Sequence, residues 1–206
     1  MDARGYHYGK FEYGHHHAYL LPTVFEALDD ETKNGKPPRV FDLGCGNGTV
    51  AAALHQRGYE VVGIDPSSEG IAIANREFPN LKLRLGSAYD ELASTYGQFP
   101  VVISLEVVEH VYSPRAFART LYSLLDDGGL AVVSTPYHGY LKNLALALSG
   151  AMDNHFTALW DHGHIKFWSM KTLRTLLEEA GFESIEFRRV GRMPPLAKSM
   201  IALARK

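Results

Sequence analysis

Glu106, Glu109 and His110 stand in the stretch "SLEVVEHV", residues 104–111, at relative positions 1, 4 and 5. On a helix that spacing puts all three side chains on one face, within reach of one ligand. Two carboxylates and an imidazole can do three kinds of work there. They can ligate a divalent cation and leave positions open for a substrate. They can move a proton, with His110 and Glu106 as the acid–base candidates. They can also form nothing more than a solvated helix start, where the dipole favours an anion. The residues by themselves leave these three open. A run of histidines at His15 to His17 is read instead as the surface of a helix entry, without metal chemistry.

Positioning the three groups falls to the apolar run before them. "FPVVISLEV" is nearly continuous in apolar residues, the pattern of a strand buried on both faces. Similar runs occur in "RVFDLGCG", "YEVVGIDPS", "LKLRLGSA" and "LAVVSTP", and helical spacing fills the gaps between them. Ser113 followed by Pro114 reads as a helix cap and first position, as does Ser169 before "MKTLRTLLEEAG", with Gly181 as that helix's stop. Strand and helix in alternation predict an α/β doubly wound sheet with mostly parallel strands. The rhythm breaks after Pro136. Residues 137–168 form a long insertion before the last helix, and long loops in compact domains are usually functional. Tyr137, Phe156, Trp160 and Trp168 are its candidate acceptor-binding walls, although each is equally suited to ordinary core.

"DLGCGNG" directly follows the first strand and precedes a helix. Its glycines let backbone approach a ligand closely, and the helix start behind it offers N–H groups. An acid roughly twenty residues after such a turn, at the end of the second strand, can grip both hydroxyls of a ribose. Asp65 occupies that place. The fingerprint G-x-G-x-x-G is incomplete, because Thr49 stands where its third glycine would be.

Taken in order, "VFDLGCGNG", "VVGIDPS", "LEVVEHV" and "LLDDGGLAVVSTP" resemble a class I S-adenosylmethionine-dependent methyltransferase over roughly residues 38–190. The resemblance implies a Rossmann-like sheet of seven strands whose last strand, "SMIALARK", is reversed. It implies that Gly44, Cys45 and Gly46 pass the methionine part of S-adenosylmethionine and that Asp42 orients its amino group. Asp65 would bind the ribose and Pro66 pack on the adenine, with Ser87 and Ala88 at the adenine edge. Many relatives have Asp where Ser87 stands, so backbone would lead that contact here. Leu105 would lie beside the methyl-bearing sulfur.

Two closer likenesses bear on the opening stretch. Ubiquinone-pathway O-methyltransferases have an E-x-x-E-H run after the fourth strand. Small-RNA terminal 2′-O-methyltransferases combine such a run with a downstream histidine to bind a divalent cation. By that likeness Glu106, Glu109, His110 and His164 would ligate Mg²⁺, Mn²⁺, Fe²⁺ or Zn²⁺, with His162 the alternative to His164 in "DHGHIKFWS". A cation there would lower the pKa of an acceptor hydroxyl and fix its direction.

Composition narrows the partners. With 206 residues, 46% hydrophobic and 21% charged, the chain suits one domain over residues 1–206. Residues 1–37 would be an N-terminal lid and helix, with Tyr6, Tyr8, Phe11 and Tyr13 folding over the cofactor or packing on the core. A net charge of -2 gives no footprint for nucleic acid, so a small-molecule acceptor is expected. The single cysteine, Cys45, excludes an intrachain disulfide and fits a reducing compartment. No segment has the pattern of a signal peptide or a membrane span, and "LKNLALALSGAM" is too short for one. A cytoplasmic enzyme that O-methylates a small-molecule hydroxyl is the expectation, with oligomeric state left open. The alternatives are N-methylation of a small heterocycle, 2′-O-methylation of RNA, and a cofactor-binding regulatory protein without catalysis.

Overall fold

Along most strands successive side chains face opposite sides of the sheet, and here both sides are apolar, so helices must cover both. The computed structural model describes residues 17–32 and 37–206. The elements run α1 (His17–Asp29), β1 (Arg39–Leu43), α2 (Thr49–Gln56), β2 (Glu60–Asp65), α3 (Ser68–Glu77), β3 (Lys82–Leu85) and α4 (Leu92–Tyr96). They continue as β4 (Phe99–Leu105), α5 (Pro114–Ser123), β5 (Leu125–Pro136), α6 (Tyr140–Leu148), α7 (Met152–Phe156), α8 (Met170–Ala180), β6 (Ser184–Val190) and β7 (Ser199–Arg205). The leader tyrosines, Phe11, His15 and His16 lie outside the described residues.

The strands pair in the order β3-β2-β1-β4-β5-β7-β6. Strands β1 to β5 pair in parallel, and β7 runs antiparallel to both β5 and β6. The expected seven-stranded sheet with a reversed last strand is therefore present. Alternation divides the core into two layers. Phe41, Val102, Val133 and Ala202 face α4, α5 and α8, while Val40, Val101, Val132 and Ile201 face α1, α2 and α3.

Local chemistry sets the helix ends. Ser169 and Thr172 form a reciprocal capping box at α8, and Gly181 closes that helix at φ 110°, where a Cβ would be strained. Pro114 starts α5 as expected, but the Ser113 hydroxyl makes no capping bond. "DDGG" does not end before β5. It lies inside the strand, and the pairing jumps from Phe99↔Leu125 to Val101↔Leu130 across it.

The order of strands creates the crevice. From β1 the chain winds outward through β2 and β3, then crosses back to lay β4 against β1's other edge. Ligands in such sheets bind where the order reverses, beyond the carboxyl ends of the strands. Ser104 Oγ donates to Leu43 O at 2.7 Å and ties β4 to β1 at that edge. The insertion leaves β5 at the same end. Its helix α6 buries no side chain, with Tyr140, Leu141 and Leu148 exposed. Among the described residues no helix is long and apolar enough to cross a membrane.

Candidate functional site

The glycine turn is shaped by its neighbours. Gly44, Gly46 and Gly48 all have positive φ, and a Cβ on Gly44 would come within 2.5 Å of the Val107 side chain. Gly44 N and Cys45 N both donate to Ile64 O at 2.9 Å, which fastens the turn to β2. Asp65 then bridges two segments, accepting from Gly46 N at 2.9 Å and from Ser67 N at 2.8 Å. Asp42 is buried behind the turn, and its Oδ2 has no hydrogen-bond partner. Burial, with the charge of Asp65 added, raises its pKa to about 8.

Pro66 lies half-buried after Asp65, and Cys45 is a free, buried thiol. Ser87 and Ala88 follow β3 in a turn closed by Ser87 N donating to Asp90 Oδ2 at 2.7 Å. Leu105 ends β4, half-buried. The residues expected around the cofactor thus line up along the carboxyl edge from β3 to β4.

After Leu105, "EVVEHV" is not helical, so the shared face that a helix would give these side chains does not apply. Residues 106–112 are a bend and a turn, closed by His110 N donating to Val107 O at 2.9 Å, and α5 starts only at Pro114. Glu106 has φ 56°, which costs a residue other than glycine about 1–3 kcal/mol and is concentrated at functional sites. The conformation is held from two strands. Glu106 N donates to Ser134 O and Ser134 Oγ, at 3.1 and 3.0 Å. Ser134 Oγ in turn donates to Glu106 Oε1 at 2.8 Å, and Ser199 Oγ reaches Oε2 at 3.4 Å. Burial raises Glu106 to about 7, against the opposing pull of these hydroxyls and of the Lys142 charge.

Glu109, His110 and His164 come together. One ligand atom from each lies within 4.8 Å of the other two. Glu106, expected as a fourth ligand, is outside this group, because its carboxylate turns to the serines. Glu109 is 1% exposed; neither of its oxygens has a hydrogen-bond partner of normal geometry, and the Thr135 hydroxyl, buried beside it, interacts with the carboxyl only loosely. Burial, then repulsion from Glu106, pushes its pKa well above the carboxylate range. Burial lowers His110 and takes His164 down to about 4. The 3.9 Å approach of His164 Nε2 to Glu109 Oε1 would be an ion pair only with a protonated imidazole. Burial disfavours that form, so this is a set of neutral donors facing one carboxyl.

Backbone bonds carry the late histidine to the turn. Ile165 N and Lys166 N both donate to Glu109 O, at 2.9 and 3.0 Å, and Trp168 Nε1 donates to Val108 O at 3.1 Å. His110 Nδ1 lies 3.1 Å from His162 O and 3.2 Å from Gly163 O. Carbonyls on that side require an N–H there, which leaves the neutral ring's lone pair on Nε2. His162, the alternative ligand, has an exposed side chain and serves through its carbonyl.

The four expected pocket walls divide. Tyr137 and Trp168 are buried within the core layer that holds α5 and α8. Trp160 is 45% exposed, with its ring 5.2 Å from His164 and 6.1 Å from His110. Phe156 stacks on His138 at 5.7 Å and meets Phe167 edge-on at 4.8 Å. Sequence reasoning missed Ser134 and Ser199. The signal for Ser134 was in plain view, since "VSTP" puts polar residues at the end of a buried strand beside β4.

Comparison with known proteins agrees with this geometry. Residues 13–186 match the family model described as "Methyltransferase domain", and the chain belongs to that family. It is 39% identical over 126 residues to a ubiquinone biosynthesis O-methyltransferase of Caulobacter sp., covering 57% of this chain and 50% of that protein. It is 33% identical over 156 residues to the enzyme of the same name from Azorhizobium caulinodans, covering 72% and 60%. The chain thus spans between half and six-tenths of the length of these curated relatives. Its fold is similar to magnesium protoporphyrin IX methyltransferase from Synechocystis PCC 6803 with bound SAH, at a TM-score of 0.68 and 21% identity, covering 90% of this chain and 81% of that one.

Proposed function

We propose that this methyltransferase-family chain transfers a methyl group from S-adenosylmethionine to a hydroxyl of a small acceptor, with a divalent cation held by Glu109, His110 and His164. The observation that carries the cation is Glu109, a buried carboxyl with neither oxygen in a hydrogen bond of normal geometry and two neutral imidazoles beside it. A buried polar group without partners is costly, and a cation would satisfy both oxygens. Two nitrogens and one carboxylate suit Mn²⁺, Fe²⁺ or Zn²⁺, with Mg²⁺ favoured less by the nitrogens. The names of the curated relatives support oxygen as the acceptor atom.

The turn at Gly44–Gly46 and the unpartnered Asp42 Oδ2 suit the methionine part of the cofactor, whose amino group is a donor. Asp65 suits the ribose diol, Pro66 one face of the adenine, and Ser87 and Ala88 its edge. Leu105 and the turn after it bring the acceptor side of the crevice next to the sulfur. A bound cation would supply Lewis acidity, lowering the pKa of an acceptor hydroxyl. The oxygen then forms a bond to the methyl carbon as the carbon–sulfur bond breaks, leaving S-adenosylhomocysteine. Glu106, poised at about 7, is placed to take the hydroxyl proton, and Ser134 and Ser199 hold it in orientation. His110 is assigned to the ligands and loses the acid–base role also expected of it, because its Nδ1 faces the carbonyls. The free, buried Cys45 suits work in a reducing compartment such as the cytoplasm.

The test uses catechol as the probe acceptor. Transfer from labelled S-adenosylmethionine should cease after exhaustive chelation, while calorimetry still detects S-adenosylhomocysteine binding. Added Mn²⁺ should restore transfer. Undiminished transfer by protein that metal analysis finds empty would remove the cation from the proposal.

A further inference from the structure

Two adjacent hydroxyls stand near the end of β5, and the pleat of the strand turns them to opposite faces of the sheet. Val132 packs in the layer that holds α1, α2 and α3, so Ser134, two residues on, faces that side. Val133 packs in the layer that holds α5 and α8, so Thr135 faces the other. The two glutamates of the turn after β4 divide in the same way. Glu106 goes to Ser134, whose Oγ donates to its Oε1 at 2.8 Å. Ser199 reaches the same carboxyl from β7, and the Tyr19 hydroxyl of α1 lies 3.4 Å from Ser199 Oγ. Glu109 goes to Thr135.

Thr135 is 0% exposed, and its Oγ1 has no hydrogen-bond partner of normal geometry, although it lies against the Glu109 carboxyl. Valine would fill the same space on a strand. An enclosed hydroxyl beside an enclosed carboxyl is the costlier choice, and only a bond between the two offsets it. Threonine is branched at Cβ, which stiffens χ1, so β5 fixes where the hydroxyl stands. Few other donors reach this carboxyl. Its own backbone N–H acts on it, and His164 is itself a proposed ligand. Ile165 N and Lys166 N go instead to the main-chain oxygen of Glu109, and Trp168 Nε1 goes to Val108 O. A carboxylate that ligates a cation can only accept, and it keeps lone pairs beyond those given to the ion. A hydroxyl donating to one of these sets the plane of the carboxylate, and with it the direction in which the ligand oxygen points.

We propose that Thr135 positions Glu109 as a cation ligand, its hydroxyl donating to the carboxylate, while the neighbouring Ser134 keeps Glu106 out of the ligand set and free for proton transfer. This rests on the cation reading above and deepens it by naming the residue that supports a ligand. Thr135 acts through Glu109 and is a positioning residue.

The experiment titrates MnCl₂ into chelator-treated protein and follows free Mn²⁺ by electron paramagnetic resonance, so Kd is read without turnover. Thr135→Val should raise Kd for Mn²⁺ about tenfold or more, as loss of a ligand's supporting hydrogen bond does. Its metal-free form should melt no lower than the parent, because a methyl replaces a hydroxyl of similar volume that has no full bond to lose. It should also bind S-adenosylhomocysteine equally well. Thr135→Ala, which removes the hydroxyl without adding bulk, should weaken Mn²⁺ binding by a similar factor. Thr135→Ser should recover most of the affinity, and Ser134→Ala should keep that of the parent. An unchanged Kd in folded Thr135→Val or Thr135→Ala, or a Thr135→Ser as weak as Thr135→Val, overturns the assignment and leaves the cation site standing. A loss in Ser134→Ala as large as in Thr135→Val overturns the division between the two hydroxyls. A parent that leaves all the Mn²⁺ free would remove the cation reading itself, and the role of Thr135 with it.

Discussion

Replacing Glu109 by Gln separates a ligand from a structural carboxyl. Glu109 is 1% exposed with neither oxygen in a hydrogen bond of normal geometry, and its pKa lies well above the usual range. Burial and the neighbouring Glu106 charge favour its neutral acid in the metal-free protein, and Gln matches that form in size and polarity. The metal-free variant should melt no lower than the parent. The sign of the pH effect follows from the raised pKa. The folded parent holds a proton that the unfolded chain releases, so the parent loses stability as pH rises above the ordinary glutamate range. The variant lacks that loss, and the difference should widen in its favour with pH. Mn²⁺ reverses the ranking. At a free concentration one hundred times Kd, binding to the folded state alone adds about 2.7 kcal/mol. For a domain of this size one kcal/mol moves Tm by about 2–4 °C, so the parent should gain roughly 5–11 °C. The variant should gain about 1 °C or less, because its affinity for the cation is lost. Differential scanning fluorimetry in chelator and then in MnCl₂, with metal analysis alongside, measures both arms. A variant that melts several degrees lower without metal, and is still raised by Mn²⁺ as much as the parent, would show the carboxyl to be structural.

Asp65→Ala should weaken S-adenosylhomocysteine binding about tenfold or more in calorimetry, since hydrogen bonds to a charged group contribute about 1.5–3 kcal/mol; unchanged affinity would end the ribose assignment. Asp42 and Glu106, raised from 3.8 to about 8 and from 4.5 to about 7, both hold protons in the folded state that the unfolded chain releases. His138 and His164, lowered from 6.5 to about 4, act in the opposite sense between those values, so the stability of the ligand-free protein should fall most clearly between about pH 6.5 and 8; a urea midpoint that climbs across that upper window contradicts the assignment. Trp160→Ala should leave the urea midpoint nearly unchanged and reduce catechol turnover, whereas Trp168→Ala should cost about 3–5 kcal/mol of stability, as large core truncations do. Equal destabilisation by the two would mean that Trp160 is also core.

The sheet was legible because its signals are local. Apolar runs, the glycine turn before α2, and Ser169 and Gly181 around α8 each name an element within a few residues, and the structure follows them. The reversal of β7 was not in any such run; it came with the resemblance. The turn after β4 was left open for a physical reason. Spacing of 1, 4 and 5 identifies a shared helical face only if the backbone is helical, and Pro114 disfavours helix in the residue before it. Here Glu106 takes a left-handed conformation because Ser134, a residue on another strand, rewards it with paired bonds. No local pattern encodes that. The aromatic residues of the insertion were ambiguous in the same way. Trp160 and Trp168 have identical chemistry, and only the bond from Trp168 Nε1 to Val108 O decides which is core.

The insertion is pinched shut at its base. His138 N and Trp168 O meet at 3.0 Å, so the chain that departs from the sheet at residue 138 is back beside its point of departure thirty residues later. Whatever lies between contributes no strand to the sheet, and α6 and α7 bury no side chain in it. Residues 139–161 are in that sense a cassette. Lengthening or exchanging them leaves both anchors in register, at a loop-closure cost that grows only slowly with length. Residues 162–168 stay behind with their bonds to Glu109, Val108 and His110. New acceptors could then be accommodated by grafting one surface excursion, with the cofactor crevice and the cation ligand His164 carried unchanged on the scaffold beneath.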